Sequence, residues 1–152
     1  MSGRLRRPMI VPREVLTAVV RHAEAAYPEE GCGILVGKFA AASADGREGV
    51  RVVRALAADN VAADRRRRFA IAPEVLLAAQ KGARAEGLDL IGYYHSHPDH
   101  PARPSAADRR DAWPGVSYLI VPVAAGAAGE ARSWRLAPET GEISEERVVV
   151  EG

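Results

Sequence analysis

The chain is short of several things, and each shortage removes a class of function. It has a single cysteine, Cys32, in 152 residues, so no intrachain disulfide can form and nothing points to an oxidising compartment. No apolar run approaches the roughly 20 residues of a membrane span. The basic start MSGRLRRPMIVPREV offers only Met9, Ile10 and Val11 before Pro12, too short for the core of a secretory signal. The expectation is a cytoplasmic protein with no membrane partner. The formal net charge is only +1, so the global basic footprint of a nucleic-acid binder is missing. Lysine stands only at 38 and 81, which fits GC-rich coding and carries no functional meaning. Gly31, Gly33 and Gly37 lack the spacing of a phosphate loop, so no nucleotide site is read.

What is there is an ordinary globular composition, 47% hydrophobic and 27% charged, on a chain long enough for one domain with a normal core. Helix spacing runs through residues 14–26, with Val15, Val19 or Ala18, His22 and Ala26 on one face, Pro12 ahead and Tyr27-Pro28 behind. CGILVG (32–37) reads as a buried strand, Asp45-Gly46 as a turn, and 49–58 as the returning strand. Residues 58–68 form a polar loop and FAIAP (69–73) a short strand. Pro73 suits the first turn of a second helix that ends at Gly87. Residues 88–98 and 114–123 are strands, the second a central one; 131–137 and 143–151 read as edge strands around a Pro138–Gly141 turn. The pattern is one α/β or α+β domain.

Three of the four histidines crowd into IGYYHSHPDHPARPSAADRRDA (91–112). His95 and His97 flank Ser96 on a strand, where residues two apart share a face, so both imidazoles project to one side. That is a good start for a zinc site, because Zn²⁺ favours imidazole nitrogen; a pair of surface histidines is the plain alternative. Ser105-Ala-Ala-Asp108 admits two readings. It is a helix capping box, and it could also aim Asp108 back at the histidines. Two His and one carboxylate leave a fourth zinc position open, the composition of a catalytic site, where bound zinc acidifies water and polarises a carbonyl. Such a site needs a general base.

Taken together, His95-Ser96-His97, seven intervening residues, Ser105, two more and Asp108 resemble the JAMM motif of the MPN-domain (JAB) metalloproteases. The upstream Pro28-Glu29-Glu30-Gly31-Cys32-Gly33 is similar to that family's glutamate segment, in a register that selects Glu30. Asn60, Phe69-Ala70-Ile71-Ala72-Pro73 and Gly92-Tyr93-Tyr94 match in order between them, so the likeness covers roughly residues 8–125. The resemblance implies a single domain over 1–152 with the cytidine-deaminase-like MPN fold, a mixed sheet flanked by helices. It implies one zinc per chain held by His95, His97 and Asp108. Glu30 would hold the attacking water, act as general base and pass the proton to the leaving amine. Ser105 would donate to the oxyanion. No motif position departs from the pattern, which argues against the inactive MPN scaffolds. The compact length resembles the prokaryotic members, which implies cleavage of a peptide or isopeptide bond after the C-terminus of a ubiquitin-like or sulfur-carrier protein.

Other residues read more plainly. His100 is not needed as a ligand, Asp99 is a loop acid, Glu29 is solvated, His22 is a partly buried helix residue, and Trp113 and Trp134 are packing residues. Cys32 is a core cysteine without the partners of a thiol protease. Arg65–Arg68 is either a solvated loop or a docking patch for an acidic partner. A cupin would need a glutamate three or four residues after the histidine pair; His100 and Pro101 stand there, and no histidine follows residue 100. A non-catalytic binding module whose metal only holds the fold is the remaining alternative; such a site has no use for Glu30 or Ser105. Other divalent ions also suit these ligands.

Overall fold

The structure is a computed structural model that describes residues 8–40 and 49–152. The Asp45-Gly46 turn lies outside the described residues. Strand β1 (Pro8–Pro12) leads into helix α1 (Arg13–Ala26), followed by β2 (Cys32–Phe39), β3 (Val50–Ala58), α2 (Pro73–Ala85) and β4 (Asp89–Pro98). The short helix α3 (Ala106–Asp111) precedes β5 (Ser117–Ala124), β6 (Ala127–Ala128), β7 (Arg132–Leu136) and β8 (Ile143–Glu151). No helix among the described residues is long and apolar enough to cross a membrane.

The architecture is a mixed α/β fold built on one sheet. Strand order is β4-β2-β3-β1-β8-β7-β5-β6, and a further pairing of β4 with β5 closes the sheet on itself. β1 runs parallel to β3 and β8, β4 runs parallel to β5, and the remaining pairs are antiparallel. Among the described residues closure leaves only the two-residue β6 with a single neighbour, which limits the open edges that invite aggregation.

Two expectations are corrected and one unassigned strand is added. Residues 131–137 and 143–151 are not edge strands: β7 sits between β5 and β8, and β8 between β7 and β1. Their inner face carries a buried ion pair, Arg135 Nε to Glu146 Oε2 at 3.5 Å. Ser133 Oγ donates to Glu146 Oε1 (2.6 Å) and Arg135 Nη2 to Ser117 Oγ (3.3 Å), joining β5, β7 and β8. Polar side chains at alternate positions misled the sequence reading, because their partners come from other strands. FAIAP is not a strand; residues 69–72 are an extended loop leading into α2 at Pro73. And PMIVP, too short to stand out in the sequence, is a strand because Met9 and Val11 are wholly buried between β3 and β8.

Two cores sit on opposite faces of the sheet. α1 places Val19 and Ala23 against Met9, Val11, Leu35 and Tyr94. α2 places Ala79 and Ala83 against Ile34 and Val36. Each fully buried Val, Ile or Leu contributes about 1.5–3 kcal/mol. His22, half-buried on α1, shares a 2.6 Å hydrogen bond with the Tyr94 hydroxyl. The β2–β4 pairing carries a bulge: Leu35 pairs with Gly92 and Val36 with Leu90, skipping Ile91. Gly92 is required there, since a Cβ would run into the carbonyl oxygen of Ser117 on β5.

Gly92→Ala should destabilise the protein by about 1–3 kcal/mol, because the obstructing atom is backbone and cannot rotate away. Gly82→Ala on α2, where a Cβ meets nothing within 4 Å, should stabilise it by roughly 0.5–1 kcal/mol. Urea titrations of both variants check the pair of signs.

Candidate metal centre

β4 delivers the histidines. Beyond the bulge, Tyr93, His95 and His97 share the face that α2 covers, while Tyr94 and Ser96 point to the other. His95 is completely buried and His97 nearly so. Phe69 stacks on the His95 ring, with centroids 4.4 Å apart and planes 20° from parallel. Asp108 arrives from α3. Its Oδ2 lies 3.2 Å from His95 Nε2 and 3.0 Å from His97 Nε2, and the two Nε2 atoms are 3.2 Å apart.

The capping box is real, and it serves the cluster. Ser105 Oγ accepts from Asp108 N–H at 3.0 Å, and Asp108 Oδ2 accepts from Ser105 N–H at 3.0 Å. The same carboxylate oxygen therefore caps the helix and faces both imidazoles. The two readings of Ser105-Ala-Ala-Asp108 describe one geometry.

The donor set fits a cation. His97 Nδ1 lies 2.8 Å from the Pro101 carbonyl oxygen. A carbonyl only accepts, so Nδ1 carries the proton, and in the neutral ring Nε2 presents a bare lone pair. That lone pair faces a carboxylate oxygen and a second imidazole nitrogen, so a proton or a metal ion must sit among them. Backbone orientation of a ligand imidazole in this way is common at metal sites. His95, His97 and Asp108 are a group that could hold a metal ion. Burial lowers the pKa of His95, against the pull of Asp108. Burial also opposes charge on His97, but Asp108 and the Pro101 carbonyl outweigh it and raise the pKa. Asp108 is held well below the usual carboxylate range: burial works against this, and the two histidine hydrogen bonds prevail.

Glu30 sits just ahead of β2, with only 4% of its surface exposed. Its side-chain Oε1 is buried without a hydrogen-bond partner among the described residues. Burial pushes its pKa up to about 8; His97 opposes the rise, while Asp108 and Asp64 add to it. Its backbone is clamped. Glu30 N–H donates to Arg65 O (2.7 Å) and Asn60 Nδ2 donates to Glu30 O (3.0 Å). Next door, Gly31 N–H donates to Ser96 Oγ (2.8 Å) and Ser96 N–H to Gly31 O (3.0 Å). Glu30, His97 and Ser105 line one open cleft of about 550 Å³.

Two positioning residues were given no role by the sequence. Ser96 registered only as the spacer between the histidines, yet its hydroxyl ties β4 to the turn that bears Glu30. Asn60 had no role, yet it also donates to Arg68 O (2.9 Å) and accepts from Ala62 and Ala70 N–H (3.0 and 3.2 Å). Its match to the family pattern after the second strand was the available signal.

The remaining residues sort themselves. Cys32 is wholly buried, and burial first, then Glu30, push its thiol up to about 12, so it supplies no thiolate. His100 is exposed and outside the cluster. Asp99 accepts from Tyr27 Oη (2.7 Å) and Ala125 N–H (2.8 Å), a loop acid as read. Glu29 pairs with Arg65 at 3.2 Å. Trp134 donates to Ala102 O (2.9 Å). Trp113 is not a packing residue: it is 68% exposed and lines a second, aromatic groove with Phe69, Tyr93 and Tyr118 beside Asp108.

A closed mixed sheet that gathers two imidazoles and a capping carboxylate, with a buried glutamate sharing a cleft with one of the imidazoles, defines a protein with a candidate metal centre. The chain belongs to the prokaryotic JAB-domain family: the family model described as prokaryotic homologs of the JAB domain matches residues 12–137. It is similar to a desampylase of Haloferax volcanii, 39% identical over 61% of this chain and 62% of that protein, so less than two thirds of that relative is spanned. A desampylase of Pyrococcus furiosus is 32% identical over 94% of this chain and 91% of that one. A probable TtuB-protein conjugate cleaving protease of Thermus thermophilus is 35% identical over 74% and 68%. Among solved structures, a protein from Desulfitobacterium hafniense superposes with a TM-score of 0.77 at 28% identity, covering 94% of this chain and 92% of that one.

The raised pKa of Glu30 has a thermodynamic signature. Between its ordinary value of 4.5 and about 8, the folded metal-free protein holds a proton that the unfolded chain has lost, so this group's contribution to stability falls as pH rises through that window. Glu30→Gln cannot ionise. Metal-free Glu30→Gln should therefore gain on the wild type as pH rises from 5 to 8, by up to about 4 kcal/mol at ~1.4 kcal/mol per unit. Chelated protein unfolded in urea at both pH values tests this; a constant difference would refute it.

Proposed function

We propose that this chain is a zinc-dependent metallopeptidase that hydrolyses a peptide or isopeptide bond after the C-terminus of a ubiquitin-like or sulfur-carrier protein. In this reading residues 1–152 form one JAMM/MPN domain of the cytidine-deaminase-like type, with its family-like core over about 8–125, acting in the cytoplasm. The observation that carries the reading is the buried, unpartnered Glu30 carboxyl in the same cleft as His97 and Ser105. A structural metal site has no use for such a group, and leaving it unpaired costs about 1–3 kcal/mol or more. Relatives named as desampylases and as a conjugate-cleaving protease support both the hydrolase class and the substrate class.

His95, His97 and Asp108 would hold the metal. When bound, zinc in such a site supplies Lewis acidity, bringing the pKa of water toward neutrality and polarising a carbonyl. Glu30 accepts a proton from the attacking water at its carboxylate and delivers it to the nitrogen of the departing amine. Ser105 Oγ accepts from Asp108 N–H, which leaves its own O–H free to donate to the carbonyl oxygen as charge develops there. The Pro101 carbonyl keeps His97 in the tautomer that offers Nε2. The alternative of a metal-stabilised binding module has one observation in its favour: the capping box gives Ser105 and Asp108 a structural task.

Protein purified without chelator should carry about one zinc per chain, and Asp108→Ala or His97→Ala should lose most of it. Glu30→Gln should keep the zinc and lower hydrolysis of a ubiquitin-like conjugate by at least about 10²-fold. Metal analysis with a gel-based cleavage assay reads both, and a fully active Glu30→Gln would remove Glu30 as base. No zinc in the wild type would return Ser105 and Asp108 to a helix cap alone.

A further inference from the structure

Four arginines line the cleft that holds Glu30, His97 and Ser105. Arg66 and Arg67 come from the loop ahead of α2; Arg103 comes from the segment after β4, and Arg109 from α3. All four are exposed. Among the described residues none of them shares an ion pair, whereas the neighbouring Arg65 pairs with Glu29 (3.2 Å) and Arg110 with Asp111 (3.7 Å). On a chain of net charge +1, composition does not explain such a concentration. Like charges gathered in one concavity repel each other in the free protein and focus a positive potential into it.

The cleft's size and chemistry limit the occupant. At about 550 Å³ it admits a few residues of extended chain and no folded domain. Guanidinium groups match carboxylate and phosphate geometry alike. Single-stranded nucleic acid, however, is held on basic grooves that also offer aromatic faces for the bases. No Phe, Tyr or Trp lines this cleft; the aromatic side chains stand in the separate groove beyond Asp108. Carboxylates are therefore the better match.

We propose that this cleft binds Asp and Glu side chains in the extended stretch of the substrate protein that flanks the scissile bond, and that Arg66, Arg67, Arg103 and Arg109 select substrates by charge. The words substrate and scissile bond rest on the hydrolase reading above. Arginines on two banks clasp an acidic strand between them, which draws partners in and sets which ones dwell.

The test uses two labelled peptides of equal length with a central Gly-Gly, one flanked on both sides by Asp and Glu, the other by Asn and Gln. Binding to the full chain is followed by fluorescence anisotropy. The acidic peptide should bind at least about tenfold more tightly in low salt, and the gap should close near 0.3 M salt as screening shortens the field. Arg103→Gln/Arg109→Gln and, separately, Arg66→Gln/Arg67→Gln should each remove most of the gap, with Lys81→Gln as the unchanged control. Circular dichroism confirms that the exposed substitutions leave the fold intact. Equal binding of the two peptides, an unchanged gap in both double variants, or tighter binding of a single-stranded oligonucleotide of matched charge would overturn the proposal. Cleavage of a ubiquitin-like conjugate by the same zinc-loaded protein separates the two readings. Cleavage with no preference for acidic flanks sinks the arginine assignment alone. Charge-selective binding with no cleavage sinks the hydrolase and leaves the acidic-segment cleft standing.

Discussion

The site depends on strand β4 being held from both sides with one residue out of step. β2 pairs with it antiparallel and β5 parallel, so its backbone groups are committed and its side chains must alternate. The bulge at Ile91 breaks that alternation once. Leu90 and Tyr93 reach the same core, as do Ile91 and Tyr94. A shift of one residue sends every later side chain to the opposite face. Without it His95 and His97 would point at α1 and the apolar core. With it they meet Asp108, His97 reaches the cleft, and Ser96 takes the inner face, where it holds the turn that bears Glu30.

Around that strand the charges are arranged so that no element is sufficient alone. His97 presents an acceptor Nε2 because the Pro101 carbonyl fixes its tautomer, and burial favours the neutral form of His95. Asp108 stays ionised because α3's first turn and both histidines stabilise its charge. Glu30 is the opposite case: burial raises its pKa, and its position comes from backbone bonds to Asn60 and Arg65 and from the hold of Ser96 on the neighbouring Gly31. Two carboxyl groups near His97 are thus pushed toward different protonation states by their surroundings, the condition that the proposed roles of one as ligand and the other as base would require. The arginine loop enters twice, through its backbone at Glu30 and through its side chains along the cleft.

Much of this was legible in the chain. His95 and His97 sharing a face follows from period two, the capping box from Ser105 and Asp108 at their spacing, and both main helices from apolar spacing after Pro12 and Pro73. Those features are local, and local sterics and backbone hydrogen bonding decide them. The misses are non-local. PMIVP became a strand because β3 and β8 bury it, FAIAP stayed a loop with the backbone groups of Ala70 taken by Asn60 and Val61, and Trp113 stayed exposed beside the aromatic groove.

The sequence by itself determined which chemistry is present, two imidazoles, two carboxyls and a hydroxyl in a set order, because side-chain identity and short-range geometry are written in the chain. Tertiary structure alone decided where that chemistry meets. Sheet closure through β4 and β5, the one-residue bulge, and the burial that leaves Glu30 unpartnered all depend on contacts between residues far apart in sequence. Their energies come from which surfaces lose water together, and no local pattern encodes that.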